Sequence, residues 1–262
     1  VPVSVTSFSN SYFKQFDAEA VINANFAKWS VNVNGKYHAL IQSVIQSGGA
    51  VEDAKLAIAA SWQDNAVEAS AAGTTMHDRA EKMCNGLEVE DDAEMRMLRK
   101  WLDSFQPAMS WKPYRTEWKL WFDEPCLDDK VLVAGTLDLL LKSETTGQFA
   151  LVDFKRSNPA PKYRGGPRAL LGPCCNPRFH PGYAQSPLLE IEDSKWGAYT
   201  LQLNILSKIL EERYAISVGA DMYLLQIHEA LEEAHCVQVP AHRAATSSLF
   251  TIEAEKVARR GS

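Results

Sequence analysis

Apolar residues recur at helical spacing through most of the first hundred positions. Segments 17–29 (DAEAVINANFAKW), 51–62 (VEDAKLAIAASW), 64–84 and 91–104 each predict a helix, with Gly35, Gly48, Gly49 and Gly86 marking breaks. The period then changes. Residues 115–122 (RTEWKLWF), 131–141 (VLVAGTLDLLL) and 149–155 (FALVDFK) are β-branched, aromatic and apolar, and TTGQ at 145–148 supplies a turn between the last two. A three-strand antiparallel meander is expected. Helical spacing returns at 199–213, where Tyr199, Leu203, Leu206 and Leu210 form one stripe. Residues 221–228 (DMYLLQIH) predict another strand and 241–259 a closing helix. The expectation is one α/β domain over 1–262, with a mainly helical part at 1–110 and a sheet core at 111–262.

Composition changes this picture little. The chain is 46% hydrophobic and 23% charged, as soluble globular domains are. It contains no run of eighteen apolar residues, so no membrane span is expected. The opening VPVSVTSFSN lacks a signal-peptide pattern. Five scattered cysteines (Cys84, Cys126, Cys174, Cys175 and Cys236) fit reduced thiols in an intracellular protein. The acidic run EVEDDAE at 88–94 predicts the opening of a solvated helix.

Charge matters locally. The net charge is −6, which argues against a protein that coats nucleic acid non-specifically. Yet the long connection 156–198 carries seven of the twelve prolines. Between Lys155 and Arg178 lie six bases and no acid: Lys155, Arg156, Lys162, Arg164, Arg168 and Arg178. Such a segment beside a site suits phosphate contacts. Tyr163 and Phe179 within it are placed to stack on bases. The strand aromatics Trp111, Tyr114, Trp118 and Trp121 are read instead as core or sheet-face residues.

The candidate chemistry sits on the strands. In LVDFKRS, at 151–157, alternation points Asp153 and Lys155 to the same face. Asp138 lies inside an otherwise apolar strand, where a charge is costly unless paired or metal-bound. If the two strands form a hairpin, the two carboxylates meet and offer oxygens of the kind Mg²⁺ or Mn²⁺ takes. A lysine beside them can orient water and offset charge on a reacting phosphate. His77 and Glu81, four residues apart in GTTMHDRAE, share one helix face and can deliver an imidazole to the pair.

The order of these motifs resembles the RecB-like and λ-exonuclease-like branch of the PD-(D/E)XK nuclease superfamily. Gly73 to His77 matches its helical G-x-x-H element, Gly135 to Asp138 its G-x-x-D strand, and Val152 to Lys155 its h-D-h-K strand (h, apolar). The helix at Gln202 matches its Q-x-x-x-Y helix. SVTSF, FDAEAVI, YRTEW and DFKRS are further similar to nucleases of large DNA viruses and phages. Two departures stand out: the acid of D-x-K is Asp rather than Glu, and Leu206 replaces the tyrosine of Q-x-x-x-Y, with Tyr199 one turn before Gln202.

The resemblance implies a restriction-endonuclease-like mixed sheet flanked by helices. It implies Asp138 and Asp153 as metal carboxylates, Lys155 as the catalytic lysine, and His77, Glu81 and Glu117 as further metal-site residues. Gln202, Tyr199, Arg156, Lys162, Arg164 and Arg168 would contact nucleic acid, with Gln202 also supporting Lys155. The expected activity is Mg²⁺- or Mn²⁺-dependent hydrolysis of phosphodiester bonds in DNA, by an exonuclease. The rival readings are an RNA endonuclease of cap-snatching type and a catalytically silent nuclease-fold module that only binds nucleic acid.

Overall fold

The computed structural model describes residues 2–124, 130–157 and 182–261. The chain divides into two compact units, Gln15–Thr74 and Val1–Lys14 with Thr75–Ser262. The smaller contains α2 (Ala18–Val31), α3 (His38–Gln46) and the first part of α4 (Val51–Cys84). Asp17 caps α2 by accepting a hydrogen bond from the Ala20 amide. Ile22, Ile41, Ala54 and Ile58 form a small buried core there, and Trp62 Nε1 donates to the Tyr37 hydroxyl at 2.7 Å.

The larger unit is mixed α/β. Among the described residues its sheet has six strands: β1 (Val3–Ser4), β2 (Trp111–Glu124), β3 (Lys130–Ser143), β4 (Phe149–Arg156), β5 (Met222–Ile227) and β6 (His235–Gln238). They run in the order β1-β3-β4-β5-β6, with β2 pairing β3. The meander β2-β3-β4 is antiparallel, as its pattern predicts, and β5 joins β4 in parallel after the crossover through α6 (Lys195–Tyr214). One apolar layer packs residues of α1 (Val5–Asn10), α6 and α7 (Arg243–Gly261) on the sheet. The other packs the end of α4 and α5 (Ala93–Ser104) on it through Met76, Ala80, Met95, Leu98 and Trp101.

Several boundaries differ from the sequence expectation. Segments 51–62 and 64–84 form one continuous helix, because no glycine or proline separates them. Helix α6 is not merely striped: Leu201, Leu203, Ile205, Leu206, Ile209 and Leu210 are all buried, so most of its circumference faces protein. The run 88–94 does open a helix, with Asp92 accepting from the Met95 amide as its cap. Glu94, however, is buried rather than solvated.

Gly135 has a packing reason. A Cβ there would come 2.5 Å from Val5 Cγ2 and 2.8 Å from Val5 Cβ, and Val5 is itself buried. Gly135→Ala is expected to destabilise the protein by about 1–3 kcal/mol through overpacking, read as a lower midpoint in urea unfolding.

Candidate metal centre

The site forms where the sheet forks. The β3–β4 ladder ends at the pair Leu139–Val152, after which β3 continues beside β2 and β4 beside β5. Extending the register one step past that pair sets Asp138 opposite Asp153. The β2–β3 register, with Thr116 opposite Leu139 and Trp118 opposite Leu137, sets Glu117 against Asp138 on the other side. Three carboxylates therefore occupy one row across β2, β3 and β4. The Phe154 amide donates to Asp138 Oδ2 at 2.6 Å, so a side chain closes the gap between the parting strands.

Glu117 is held in the left-handed region, with φ of 42°. This conformation costs a non-glycine residue about 1–3 kcal/mol. Helix α4 supplies the imidazole from the adjoining layer. His77 Nδ1 lies 3.3 Å from Glu117 Oε1 and 3.6 Å from Asp138 Oδ1, and its ring meets that of Phe154 edge-on at 5.9 Å. One ligand atom from each of His77, Glu117 and Asp138 lies within 4.8 Å of the others.

The remaining acid of the row turns to the lysine. Lys155 Nζ lies 2.5 Å from Asp153 Oδ2 as a close ion pair. The Lys155 ammonium also sits 4.4 Å from the centre of the Tyr199 ring. Tyr199, one turn ahead of Gln202, thus reaches the lysine, and half-buried Gln202 lies on the same side of α6. Glu81 is half-buried one turn beyond His77 and stands outside the His77–Glu117–Asp138 group.

Burial and mutual charge shape the electrostatics. Burial, then the neighbouring charge of Asp153, pushes the Asp138 carboxyl up to about 7, against the pull of His77, Lys155 and the Phe154 amide. Burial alone would lower His77, but the hydrogen bond to Glu117 and the charges of Asp138 and Asp153 outweigh it and raise its pKa above the ordinary value. Burial likewise opposes the charge on Lys155, yet Asp153 and Asp138 prevail and hold the amine protonated.

Arg156 turns away from this site. Its Nε donates to Glu94 Oε1 at 2.7 Å, and Arg79 of α4 reaches Glu94 Oε2 at 3.1 Å while also pairing with Asp92. This buried link between the His77 helix and the Lys155 strand is absent from the sequence reading, and Arg156 serves it rather than an open phosphate-binding surface. Lys162, Arg164, Arg168 and Arg178, with Tyr163 and Phe179, lie outside the described residues, as do Cys126, Cys174 and Cys175. Cys84 and Cys236 are free thiols, pushed up to about 12 and about 11 by burial, so the thiolate is disfavoured at both.

No family model matches this chain, and no curated protein matches it. Among solved structures, the chain is similar to one described as the crystal structure of SSO0001. The two share 13% identity over 90% of this chain and 84% of that one, with a TM-score of 0.33. A score of that size carries no argument about fold or activity. Among the described residues, no helix is long and apolar enough to cross a membrane.

The donor set itself tests whether a cation fits. An imidazole and two carboxylates within mutual reach, one carboxyl pushed up by burial and a neighbouring acid, form a site that a divalent cation would relieve. The imidazole favours Mn²⁺ over Mg²⁺, which prefers oxygen donors alone.

A cation taken up by these donors would have to displace protons from Asp138 and His77, whose pKa values both stand above their ordinary ones. Affinity for Mn²⁺ is therefore expected to fall about tenfold or more per pH unit below pH ~7. Titration calorimetry in buffers of different ionisation enthalpy should show net proton release that grows as pH falls through about 7.

Proposed function

We propose that the protein is a metal-dependent nuclease that hydrolyses phosphodiester bonds in DNA, acting as an exonuclease. One observation carries the reading: the row Glu117–Asp138–Asp153 at the forked sheet, with His77 above it and a charged, half-buried Lys155 beside it. Structural ion pairs seldom gather three acids and an imidazole in one place, because buried like charges repel. The motif order that resembles PD-(D/E)XK nucleases supports the same chemistry.

His77, Glu117 and Asp138 would hold the cation, with Asp153 beside them. Once bound, a divalent cation polarises a phosphoryl oxygen and makes a coordinated water more acidic. The chain's own part is positional and electrostatic. Asp153 and the Tyr199 ring fix the Lys155 ammonium, which as a protonated group offsets negative charge gathering on the reacting phosphate. The Phe154 amide orients Asp138, and Glu117 orients the imidazole.

The test is cleavage of end-labelled linear duplex, single-stranded and closed-circular DNA, and of RNA, with Mg²⁺ or Mn²⁺. Wild type is compared with Asp153→Ala and Lys155→Ala. The expected result is metal-dependent loss of linear DNA, with circles intact and both variants inactive. Cleavage of RNA alone would replace the reading with an RNA endonuclease. Binding without cleavage under any metal would replace it with a silent module.

A further inference from the structure

A second feature of strand β2 is built from residues other than those of the candidate metal centre. The aromatic residues of the stretch KPYRTEWKLW do not all turn into the core. Tyr114 is 39% exposed and Trp121 is 50% exposed, where strand rings usually pack inward. They belong to one connected strip. The Phe149 and Tyr114 rings meet edge-on at 5.3 Å, and Lys142 lies 5.5 Å from each. Arg115 lies 5.0 Å from Tyr114 and 5.9 Å from Trp118. Trp118 then meets Tyr214 at 5.0 Å, and Tyr214 meets Trp121 at 6.0 Å.

The charge of the strip is as distinctive as its rings. Lys112, Arg115, Lys119 and Lys142 are all exposed. Among the described residues none of the four forms an ion pair, although the chain carries a net charge of −6. Cations in an acidic protein usually find a carboxylate; here Arg115 and Lys142 rest on rings instead, and Lys112 and Lys119 flank them on the same two strands. Unpaired cations interleaved with exposed rings match what a nucleic-acid strand presents, with phosphates for the cations and base faces for the rings. The stretch from Tyr114 to Trp121 spans about 23 Å of strand, the length of roughly four nucleotides or more in the smallest single-strand sites.

We infer that this strip is a binding platform for a single strand of nucleic acid. A duplex buries its base faces in its own stack, so it cannot use the rings. Glu117, one of the three residues placed to hold a cation, sits between Arg115 and Trp118 on the same strand, so a strand laid along β2 passes the metal centre. Only this last step, that the platform feeds a cleavage site, rests on the nuclease reading; the platform stands on its own contacts.

The experiment is fluorescence anisotropy in EDTA. Its probes are labelled oligothymidylate and oligouridylate of about twenty nucleotides, a duplex of the same length, and polyglutamate as competitor. Tyr114→Ala and Trp121→Ala should each weaken single-strand binding about tenfold. Arg115→Glu with Lys142→Glu should lower the salt dependence by about 1.4 in log–log slope. All four positions are exposed, so unchanged circular dichroism and melting temperature confirm that the variants fold. Comparison of the DNA and RNA probes tells which strand is preferred.

Absence of single-strand binding, or affinities the variants leave unchanged, overturns the platform. So does strip-dependent preference for duplex, or polyglutamate competing as well as the oligonucleotides. Adding Mn²⁺ separates the two readings. Binding that depends on the strip without cleavage sinks the nuclease and keeps the platform. Cleavage of single strands with unchanged KM in all the variants does the reverse.

Discussion

If the protein is the nuclease proposed above, Asp138→Asn is expected to lower cleavage about a thousand-fold or more, and in either case to make the metal-free protein more stable above neutral pH. The asparagine keeps an acceptor for the Phe154 amide, so the fork between β3 and β4 stays closed. What it lacks is the charge that a cation requires. The stability gain follows from the raised carboxyl. A buried acid pushed up to about 7 favours folding only while protonated. Its contribution is fully present below the ordinary carboxylate pKa, declines as pH climbs, and is lost once pH passes about 7. The variant does not titrate there. It should exceed wild type by on the order of 1–2 kcal/mol near pH ~8 in EDTA, with the gap narrowing as pH falls toward ~5. Urea unfolding at the two pH values checks the stability claim, and single-turnover cleavage checks the other.

The second large effect is structural. Glu94→Ala should destabilise the protein by about 3 kcal/mol or more, because Arg79 and Arg156 both lose the carboxylate that compensates them. Glu94 is 4% exposed and takes one guanidinium on each oxygen, at 3.1 Å and 2.7 Å. The remaining partners are weaker substitutes: Asp92 also caps α5, and Glu229 is solvent-exposed at 3.5 Å from Arg156. Glu94→Gln, which keeps the shape and one acceptor, should cost about half as much. Arg79 is two residues past His77 and Arg156 is next to Lys155, so the loss should also weaken Mn²⁺ binding. Guanidinium unfolding and calorimetric titration measure the two effects separately.

The residues of the candidate site stand out in the sequence because charges inside apolar strands are costly and therefore informative. Asp138 and Asp153 were exceptions in their own runs, and a period of two placed Lys155 on the same side as Asp153. Glu117 was a fainter signal, since TEW in a mixed strand carries no such contradiction; only the register shows it opposite Asp138. Tyr199 could be placed one turn from Gln202 by counting, but its contact with Lys155 needed the tertiary fold.

Other parts left no trace in the pattern. The Glu94 link joins residues 79, 94 and 156, and nothing in EVEDDAE distinguishes the one acid that is buried. Strand β6 (HCVQ) and helix α1 (VTSFSN) are too short for periodicity to declare them. Helix α6 looked narrower than it is, because a stripe of four residues conceals a helix buried almost all round. The exposure of Tyr114 and Trp121 ran against the usual rule for strand aromatics, so composition pointed inward where the fold points outward.

The backbone of Glu117 bears on how this protein can change. Its left-handed geometry suits glycine or asparagine better than glutamate. A search that rewarded only heat resistance would therefore discard the carboxylate at little or no cost to folding. Together with Asp138, this puts two of the three groups able to hold a cation among the positions where a sturdier residue is nearest to hand. Robustness and the proposed metal binding pull in opposite directions at the fork of the sheet, and any lineage or library selected for stability alone should lose these carboxylates first.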